Sequence, residues 1–252
     1  MTTLANKVAL VTGGSRGLGA VIVKRLAAEG AHVALTYTNN PDKASEIAGA
    51  AQALGVRALA IEANSADPMA VAAAVALTVA ELDGIDILVN NTSVLVSAPV
   101  DTCDMRTFDR TLTANVRAAF VTIQAALKHM GPGGRIINIG NLATEHAPFV
   151  VGAVYATLVG LVKGMAYELS LRGITINTVQ PGPVDIVDSI SVDLAKTLPG
   201  LMAVPQGDGN EGIAAMVAYL ASPEANDVTG ASLAIDGGFM PRVDRFKTPV
   251  FP

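Results

Sequence analysis

The sequence predicts an α/β protein: a doubly wound parallel sheet of about seven strands, with helices on both faces. Three observations carry this prediction. Short aliphatic runs alternate with helical stretches along most of the chain, as in a parallel sheet with right-handed crossovers. The core is aliphatic, because 51% of the 252 residues are hydrophobic and only 4% are aromatic. A glycine-rich turn joins the first strand to the first helix.

The first predicted strand shows why the strands should be buried on both faces. Its four residues, Val-Ala-Leu-Val at 8–11, are all apolar. An uninterrupted aliphatic run suits a parallel strand that is covered by helices on both sides. Later runs along the chain have the same character. The predicted strands are 8–11, 33–36, 58–61, 85–90, 135–139, 174–179 and 232–235.

Capping residues support the helices between these strands. Asn40-Pro41 and Asp67-Pro68 each place a favoured N-cap residue before a proline. Proline is well tolerated at the first helical position, where no N–H is needed. The predicted helices lie near 18–29, 41–54, 68–81, 104–130, 152–172 and 210–221.

The chain is predicted to be one Rossmann-type domain over 1–252, with two irregular parts. The stretch 181–210 contains four prolines and four glycines and shows little periodicity. We expect a substrate-loop excursion around 183–210, because ligands bind at the carboxyl edge of open α/β sheets. A tail over 242–252 follows the last element. It has apolar residues that could be buried against a neighbouring subunit, and a disordered tail is the alternative.

Composition and charge exclude several classes of function. The net charge is −5 and no cluster of Lys and Arg is present, which argues against a nucleic-acid partner. The single Cys103 cannot form an intrachain disulfide, which fits a reducing cytoplasm. No group of His, Cys, Asp and Glu has the spacing of a metal site.

One segment has the apolar character of a membrane helix. Residues 147–162 carry no charge, but this stretch is shorter than the roughly 20 residues that a spanning helix needs. It also contains Pro148, Gly152 and Gly160. A buried helix at a subunit contact is the better interpretation, so no membrane association is predicted.

The glycine-rich turn predicts a dinucleotide site. Gly13, Gly17 and Gly19 lie between the first strand and the first helix. Glycines let the backbone approach a pyrophosphate, and the N-terminus of the helix then meets its negative charge. A glycine loop alone is a weak signal, so further motifs decide the interpretation.

Several short motifs stand in a characteristic order and cover 7 to about 239. They are 12–19, Asn90-Asn91, Asn115, Tyr155, Pro181-Gly182 and Asp236-Gly237-Gly238. With them the chain resembles the short-chain dehydrogenase/reductase family, most closely the branch of 3-oxoacyl-acyl-carrier-protein reductases. The resemblance implies an oxidoreductase fold, a nicotinamide cofactor and a homotetramer or homodimer.

The resemblance also implies a catalytic Ser-Tyr-Lys set with a helical Asn behind it. Tyr155 matches the tyrosine and Asn115 the asparagine, but Val159 stands in place of the lysine. Asn141 and Leu142 occupy the places of the serine. We predict Tyr155, Asn115 and Asn141 as catalytic, with the Asn141 amide binding a substrate oxygen. The alternatives are a packed phenol at 155 and a simple turn residue at 141.

The nucleotide is predicted to be NADP(H). An acid that binds the ribose 2′-hydroxyl should end the second strand, yet 36–40 contains none. Arg16, inside the glycine loop, could instead face a 2′-phosphate; a solvated Arg16 beside an empty pocket is the alternative. Asn64 stands where the family commonly has an acid near the adenine. The predicted cofactor-binding residues are Gly13, Ser15, Arg16, Gly17, Leu18, Gly19, Tyr37, Thr38, Asn64, Ser65, Asn91, Tyr155, Pro181, Gly182 and Val184.

These observations lead to three hypotheses about function. The first is an NADP(H)-dependent reductase of a small or biosynthetic carbonyl or imine substrate, with a non-standard active site. The second is a nucleotide-binding pseudoenzyme that serves as a partner subunit or regulator. The third is a non-redox cyclase or isomerase that uses the same pocket. The substrate in each case is a small molecule.

Overall fold

The fold is a single seven-stranded parallel sheet between two layers of helices. The structure is a computed structural model that describes residues 3–92, 101–140, 150–182 and 209–238. The strand order is β3-β2-β1-β4-β5-β6-β7 and every neighbouring pair is parallel. The predicted fold class is therefore confirmed. The strands are β1 Val8–Val11, β2 His32–Tyr37, β3 Ala58–Glu62, β4 Ile87–Asn90, β5 Arg135–Ile139, β6 Thr175–Pro181 and β7 Ser232–Ile235.

The central strands are buried on both faces, as the aliphatic runs predict, whereas the edge strands β3 and β7 are partly exposed. In β1, Ala9 and Val11 pack into one core, whereas Val8 and Leu10 pack into the core on the opposite face. The first core lies under helices α1, α2 and α7, and the second under α3, α5 and α6. The helices are α1 Gly17–Ala28, α2 Pro41–Gln52, α3 Pro68–Leu82, α4 Met105–Leu112, α5 Ala118–Ala126, α6 Val150–Ser170 and α7 Gly209–Ala221.

The two predicted proline-marked helix starts are confirmed by their caps. The Asn40 side-chain oxygen accepts a hydrogen bond from the Lys43 N–H at 3.0 Å. The Asp67 carboxylate accepts one from the Met69 N–H at 2.9 Å. Each side chain satisfies a backbone donor that the helix leaves unpaired.

The predicted helix near 104–130 is present without a break from 105 to 126, but it is not α-helical throughout. A π turn, Thr113–Arg117, separates α4 from α5, and α5 ends at Ala126. A π turn holds an extra residue and turns its side chains differently from an α-helix. The Asn115 amide donates to the carbonyl oxygen of Thr111 at 2.8 Å, and its side chain is buried. The turn thus directs Asn115 inward, towards α6.

The strand order reverses between β1 and β4, which places a crevice at their carboxyl ends. No helix in the described ranges is long and apolar enough to cross a membrane. Of the excursion predicted around 183–210, residues 183–208 lie outside the described residues, and 209–210 begin α7. The tail over 242–252, Asn141 and Val184 also lie outside the described residues.

Candidate functional site

The glycine loop is held against the second strand by its own backbone. The N–H of Gly13 donates to the Thr36 hydroxyl oxygen at 3.1 Å, and the N–H of Gly14 donates to the Thr36 carbonyl oxygen at 3.0 Å. Gly13 and Gly17 have φ angles of 64° and 50°, in the left-handed region that favours glycine. The loop geometry therefore requires glycine at both positions.

The third glycine is required by close packing instead. A Cβ atom at Gly19 would lie 2.3 Å from the carbonyl oxygen of Gly13 and 2.6 Å from Nδ2 of Asn91. At Gly14, a Cβ atom would lie 2.7 Å from Cβ of Leu35. The first turn of α1 thus sits directly on the loop, and Arg16 and Gly17 are exposed where the loop meets the helix.

The side chain and backbone of Asn91 hold the glycine loop in place through hydrogen bonds. Its amide nitrogen donates to the carbonyl oxygens of Thr12, at 3.1 Å, and Gly13, at 3.2 Å. The Thr12 hydroxyl oxygen in turn accepts from the N–H groups of Asn91 and Thr92, at 3.0 and 3.1 Å. The Asn91 amide therefore supports the loop, and a direct contact of Asn91 with a cofactor stays a prediction.

The N-terminus of α1 lacks the side-chain cap that α2, α3 and α4 have. Its N-cap residue, Arg16, is exposed and makes no capping hydrogen bond. At α4, by contrast, Asp104 accepts from the Thr107 N–H at 2.7 Å, and this bond lowers the pKa of the Asp104 carboxyl. A helix N-terminus stabilises negative charge, so an uncapped one beside a glycine loop fits a phosphate group.

The other predicted residues of the loop divide between core and surface. Ser15 and Leu18 are buried, and Leu18 packs into the core beneath α1. Their expected contacts with a nucleotide would therefore come from the backbone. Tyr37 is half-buried at the end of β2, and Thr38 after it is exposed. This leaves Arg16 as the exposed cation of the loop.

Asn64 and Ser65 follow β3 and lie beside the loop. The Asn64 side-chain oxygen accepts from the Ala66 N–H at 3.0 Å. The Ser65 hydroxyl donates to the Thr92 hydroxyl oxygen at 3.0 Å. Thr92 in turn reaches the loop, since its Oγ1 lies 3.0 Å from where a Cβ of Gly13 would stand. These contacts link the segments that follow the carboxyl ends of β1, β3 and β4.

Tyr155 and Asn115 are brought together, as the resemblance implied. The Tyr155 hydroxyl donates to the Asn115 side-chain oxygen at 3.2 Å. The tyrosine is only 1% exposed and packs on Ala119 and Leu158. The burial of Tyr155 agrees with the packed-phenol alternative, and its bond to Asn115 agrees with the catalytic one.

No lysine lies where the family would place one. Val159, one turn after Tyr155 on α6, is half-buried. Lys163, one further turn along, is exposed to solvent. It lies roughly 12 Å along the helix axis from Tyr155. Lys163 is therefore a surface lysine, too far from Tyr155 to replace the missing one.

A small polar cavity lies beneath the site. Its volume is about 10 Å³, which is room for one water molecule. Sequence reasoning predicted Asn115 and Ser65 as site residues and placed Thr12 and Asn90 in motifs, but it missed Thr92 and Thr122. Thr92 could have been found from its place just after the aliphatic strand β4. The lining consists of Thr12, Ser65, Asn90, Thr92, Asn115, Ala118, Ala119, Thr122, Ile139 and Leu158.

Pro181 and Gly182 are buried at the carboxyl end of β6. A Cβ atom at Gly182 would lie 2.8 Å from Cα of Asp236, so this turn packs tightly against the turn that follows β7. The Gly182 N–H donates to the carbonyl oxygen of Ile235 at 3.0 Å. Within the described ranges, no three His, Cys, Asp or Glu residues are placed to hold a metal ion.

Gly13, Gly19 and the N-terminus of α1 together form a glycine cradle. Such a cradle at the switch point of a doubly wound parallel sheet defines the class of Rossmann-type dinucleotide-binding proteins. Within that class, the chain belongs to the short-chain dehydrogenase/reductase family of oxidoreductases. Residues 13–240 match the family model described as enoyl-(acyl carrier protein) reductase.

Relatives of known sequence agree with this assignment. The chain is 38% identical, over 95% of its length and 99% of the relative's, to a cyclic-di-GMP-binding biofilm dispersal mediator protein of Escherichia coli (strain K12). It is 34% identical, over 92% of its length and 97% of the relative's, to a 3-oxoacyl-[acyl-carrier-protein] reductase of Staphylococcus aureus (strain N315).

Solved structures show the same fold. A short-chain dehydrogenase/reductase from Serratia marcescens is 48% identical, with a TM-score of 0.89 over 94% of this chain and 99% of that one. A short-chain dehydrogenase from Burkholderia cenocepacia in complex with NADP is 41% identical, with a TM-score of 0.86 over 94% of this chain and 98% of that one.

Proposed function

We propose that the protein is an NADP(H)-dependent reductase of a small or biosynthetic carbonyl or imine substrate, with a non-standard active site. The observation that carries the proposal is the cradle formed by Gly13, Gly19 and the uncapped N-terminus of α1. The close packing of Gly19 on the loop brings the N-terminus of α1 up to it, and a helix N-terminus without a side-chain cap suits a phosphate group. The NADP complex of the Burkholderia cenocepacia relative supports the choice of cofactor.

NADPH, when bound, supplies a hydride to an electrophilic carbon. The residues of the chain would do the remaining work. The loop and the first turn of α1 would hold the phosphates, and Arg16 would face the 2′-phosphate. Tyr155, kept in place by its bond to Asn115, would give its hydroxyl proton to the reduced oxygen or nitrogen.

The replaced lysine bears on which substrates the protein would reduce. A tyrosine phenol ordinarily ionises near pH 10, so at neutral pH it serves as an acid and not as a base. Val159 brings no cation that would favour the ionised form. Reduction needs only an acid, whereas alcohol oxidation needs a base. We therefore propose activated electrophiles, such as iminium ions or internally hydrogen-bonded quinones and ketones, as substrates.

The test is a titration of the purified protein with NADPH, followed by assays of NADPH absorbance with ketones, quinones and cyclic imines. The proposal expects saturable NADPH binding and substrate-dependent loss of absorbance with at least one activated class. Absence of NADPH binding, or binding without oxidation of NADPH by any of these classes, would contradict it.

A nucleotide-binding regulator is the second candidate, and the burial of Tyr155 favours it. A phenol that is only 1% exposed and is bonded to Asn115 is poorly placed to contact a substrate. The Escherichia coli relative, whose name describes cyclic-di-GMP binding, is a precedent for such a role. This candidate expects nucleotide binding without turnover. Conversion of a substrate without any consumption of NADPH would instead indicate a cyclase or isomerase.

The cofactor preference gives a direct prediction for Arg16. The protein is expected to bind NADPH more tightly than NADH, and Arg16→Ala should weaken NADPH binding by about 1–2 kcal/mol, or roughly 5–30-fold. NADH lacks the 2′-phosphate and should lose little. Calorimetry with both cofactors measures this. Lys24→Ala is a matched control, since Lys24 is an exposed cation further along α1. Equal affinities for the two cofactors in the unmodified protein would contradict the preference.

We also propose a homotetramer or homodimer that forms through α6. Its outer face exposes small residues, and an added Cβ atom at Gly160 or Gly164 would meet nothing within 4 Å. Tyr167 on α6 and Phe120 on α5 are large and exposed. Small residues let another helix approach closely, and exposed aromatic residues give it apolar surface to bury.

Gly160→Arg is therefore expected to convert the oligomer to monomers without unfolding the chain. The long charged side chain would prevent close approach of a second helix, yet the chain's own atoms leave room for it. Light scattering at micromolar concentration measures the change. Gly49→Arg is the control, because Gly49 is also helical, exposed and without neighbours within 4 Å. A stable monomer before any substitution would defeat this proposal.

A further inference from the structure

The small polar cavity is lined by residues from the carboxyl ends of β1 and β4 and from helix α5. Its volume of about 10 Å³ is close to what one water molecule requires. Thr12, Asn90 and Thr122 line it, and their exposed fractions are 5%, 7% and 2%. An apolar cavity stays dry, whereas one with buried polar side chains in its wall favours a ligand that bonds to them. The hydrogen bonds that these three side chains already make indicate which ligand fits.

Thr12 can serve a ligand only as a donor. Its hydroxyl oxygen accepts from the N–H groups of Asn91 and Thr92, at 3.0 and 3.1 Å. A hydroxyl oxygen has two lone pairs, so these two bonds engage both of them. The hydroxyl proton remains, and a buried polar group is stable only when it is paired. The ligand therefore has to accept a hydrogen bond from Thr12.

Thr122 and Asn90 offer acceptors. The Thr122 hydroxyl donates its proton to the carbonyl oxygen of Ala118 at 2.8 Å, so its oxygen can only accept further bonds. The Asn138 amide donates to the Asn177 carbonyl oxygen, which turns the Asn138 side-chain oxygen towards β4. That oxygen accepts from the Asn90 amide nitrogen at 2.9 Å, which leaves the amide oxygen of Asn90 as an acceptor. The lining thus presents one donor and two acceptors.

Water is the small ligand that matches this set of partners. It accepts from one hydroxyl and donates both of its protons, which gives three hydrogen bonds, the usual number for a buried water. A potassium or ammonium ion of similar size needs acceptors only, and the Thr12 proton would face its charge. A small anion would face the acceptor oxygens of Asn90 and Thr122. The hydrogen-bond pattern therefore selects water over an ion of either sign.

We propose that this cavity is a binding site for one water molecule, which accepts from the Thr12 hydroxyl and donates to the oxygens of Asn90 and Thr122. The water joins two parts of the candidate site that are distant in the sequence. Thr12 precedes the glycine loop, whereas Thr122 lies on α5, which directly follows the π turn that holds Asn115. The water site needs no nucleotide, so its test is independent of the proposed function.

The experiment counts long-lived internal water molecules by magnetic relaxation dispersion of water oxygen-17, in the unmodified protein and in Thr122→Val. Val has nearly the shape of Thr but offers no acceptor, so the variant is expected to hold one internal water fewer. The Thr12 proton then lacks an acceptor in the interior, and the midpoint of thermal unfolding should fall by about 2–10 °C. Thr122→Ser keeps the hydroxyl and is expected to keep the water.

Thr78→Val is the matched control. Thr78 is a fully buried threonine of α3, and its hydroxyl donates to the carbonyl oxygen of Ala74 at 2.8 Å, one turn earlier. It does not line the cavity. The control therefore loses the same hydroxyl and the same intrahelical bond without touching the proposed water. Its count of internal waters should stay unchanged, and its unfolding midpoint should fall less than that of Thr122→Val.

Loss of one internal water in Thr122→Val but not in Thr78→Val supports the proposal. An equal count in Thr122→Val and the unmodified protein overturns it. A crystal structure of the unmodified protein without density for a water at hydrogen-bond distance from Thr12 and Thr122 also overturns it, and this test applies even if Thr122→Val does not fold. Greater thermal stability in potassium or ammonium chloride than in sodium chloride, abolished by Thr122→Val, would identify an ion in the cavity and overturn it too.

Discussion

Gly19→Ala is expected to lower the affinity for NADPH by about 100-fold or more, the effect of displacing a binding group by about 1 Å. The added methyl group would stand 2.3 Å from the carbonyl oxygen of Gly13 and 2.6 Å from Nδ2 of Asn91. Neither atom is the end of a long flexible side chain. The first turn of α1 must therefore move away from the loop, and the two halves of the phosphate site separate.

The same substitution should lower the free energy of unfolding by about 1–3 kcal/mol, as overpacked sites do. Gly49→Ala is the matched control, because a Cβ atom at Gly49 meets nothing within 4 Å. In the interior of α2 it should stabilise the protein by up to about 1 kcal/mol and leave NADPH affinity unchanged. Calorimetry and thermal unfolding measure both effects. If Gly19→Ala bound NADPH as well as the unmodified protein, the cradle would not be the phosphate site.

Val159→Lys is expected to give the largest gain in activity, by about 10²–10⁴-fold on ordinary ketones, the range of a well-positioned acid or base. Position 159 lies one turn after Tyr155 on α6, so the two side chains share a face of the helix. A cation there favours the ionised form of a phenol and so lets Tyr155 act as a base. Alcohol oxidation at neutral pH should therefore appear together with faster ketone reduction.

The role of Tyr155 should change with this substitution. In the unmodified protein, Tyr155→Phe is expected to reduce turnover only modestly, because an activated electrophile needs little help from an acid. In the Val159→Lys background the same change should cost about 10²–10⁴-fold, so the two substitutions are not additive. Steady-state kinetics in both directions measure this, with Val159→Met as the uncharged control of similar length.

Two results would count against this account of the active site. One is efficient alcohol oxidation by the unmodified protein at neutral pH. The other is complete inactivity of Tyr155→Phe when its NADPH affinity is intact, since Tyr155 would then be an ordinary general acid. If the protein is instead a regulator, Val159→Lys would leave it without turnover.

The sheet and most of its helices could be predicted from the sequence because their signals are local. The four apolar residues of β1 predict burial on both faces of the strand, and in the structure they pack into two different cores. Asn40 and Asp67 indicate where helices start, because each side chain caps a backbone N–H no more than three residues away. The glycine-rich turn is visible in the sequence, and the structure adds that Gly13 and Gly17 have left-handed backbone.

Other features depended on contacts between distant parts of the chain. The π turn that directs Asn115 towards Tyr155 interrupts a stretch that looks uniformly helical in sequence. Asn91 resembles a ligand contact by position, yet its amide is engaged with the carbonyl oxygens of Thr12 and Gly13. The orientation of the Asn64 amide depends on a backbone N–H in the turn that follows it.

The sequence by itself therefore determined the fold class, the position of the glycine cradle and the replacement of the lysine by Val159. These are properties of residue type and of short-range order, which periodicity and spacing report directly. Only the tertiary structure decided that Tyr155 is enclosed against Ala119 and Leu158 and that the Asn91 amide is engaged with the glycine loop. Burial and hydrogen-bond partners are set by packing between elements that are distant in sequence. The pattern of residues along the chain therefore does not show which polar atom is bonded to a neighbouring element.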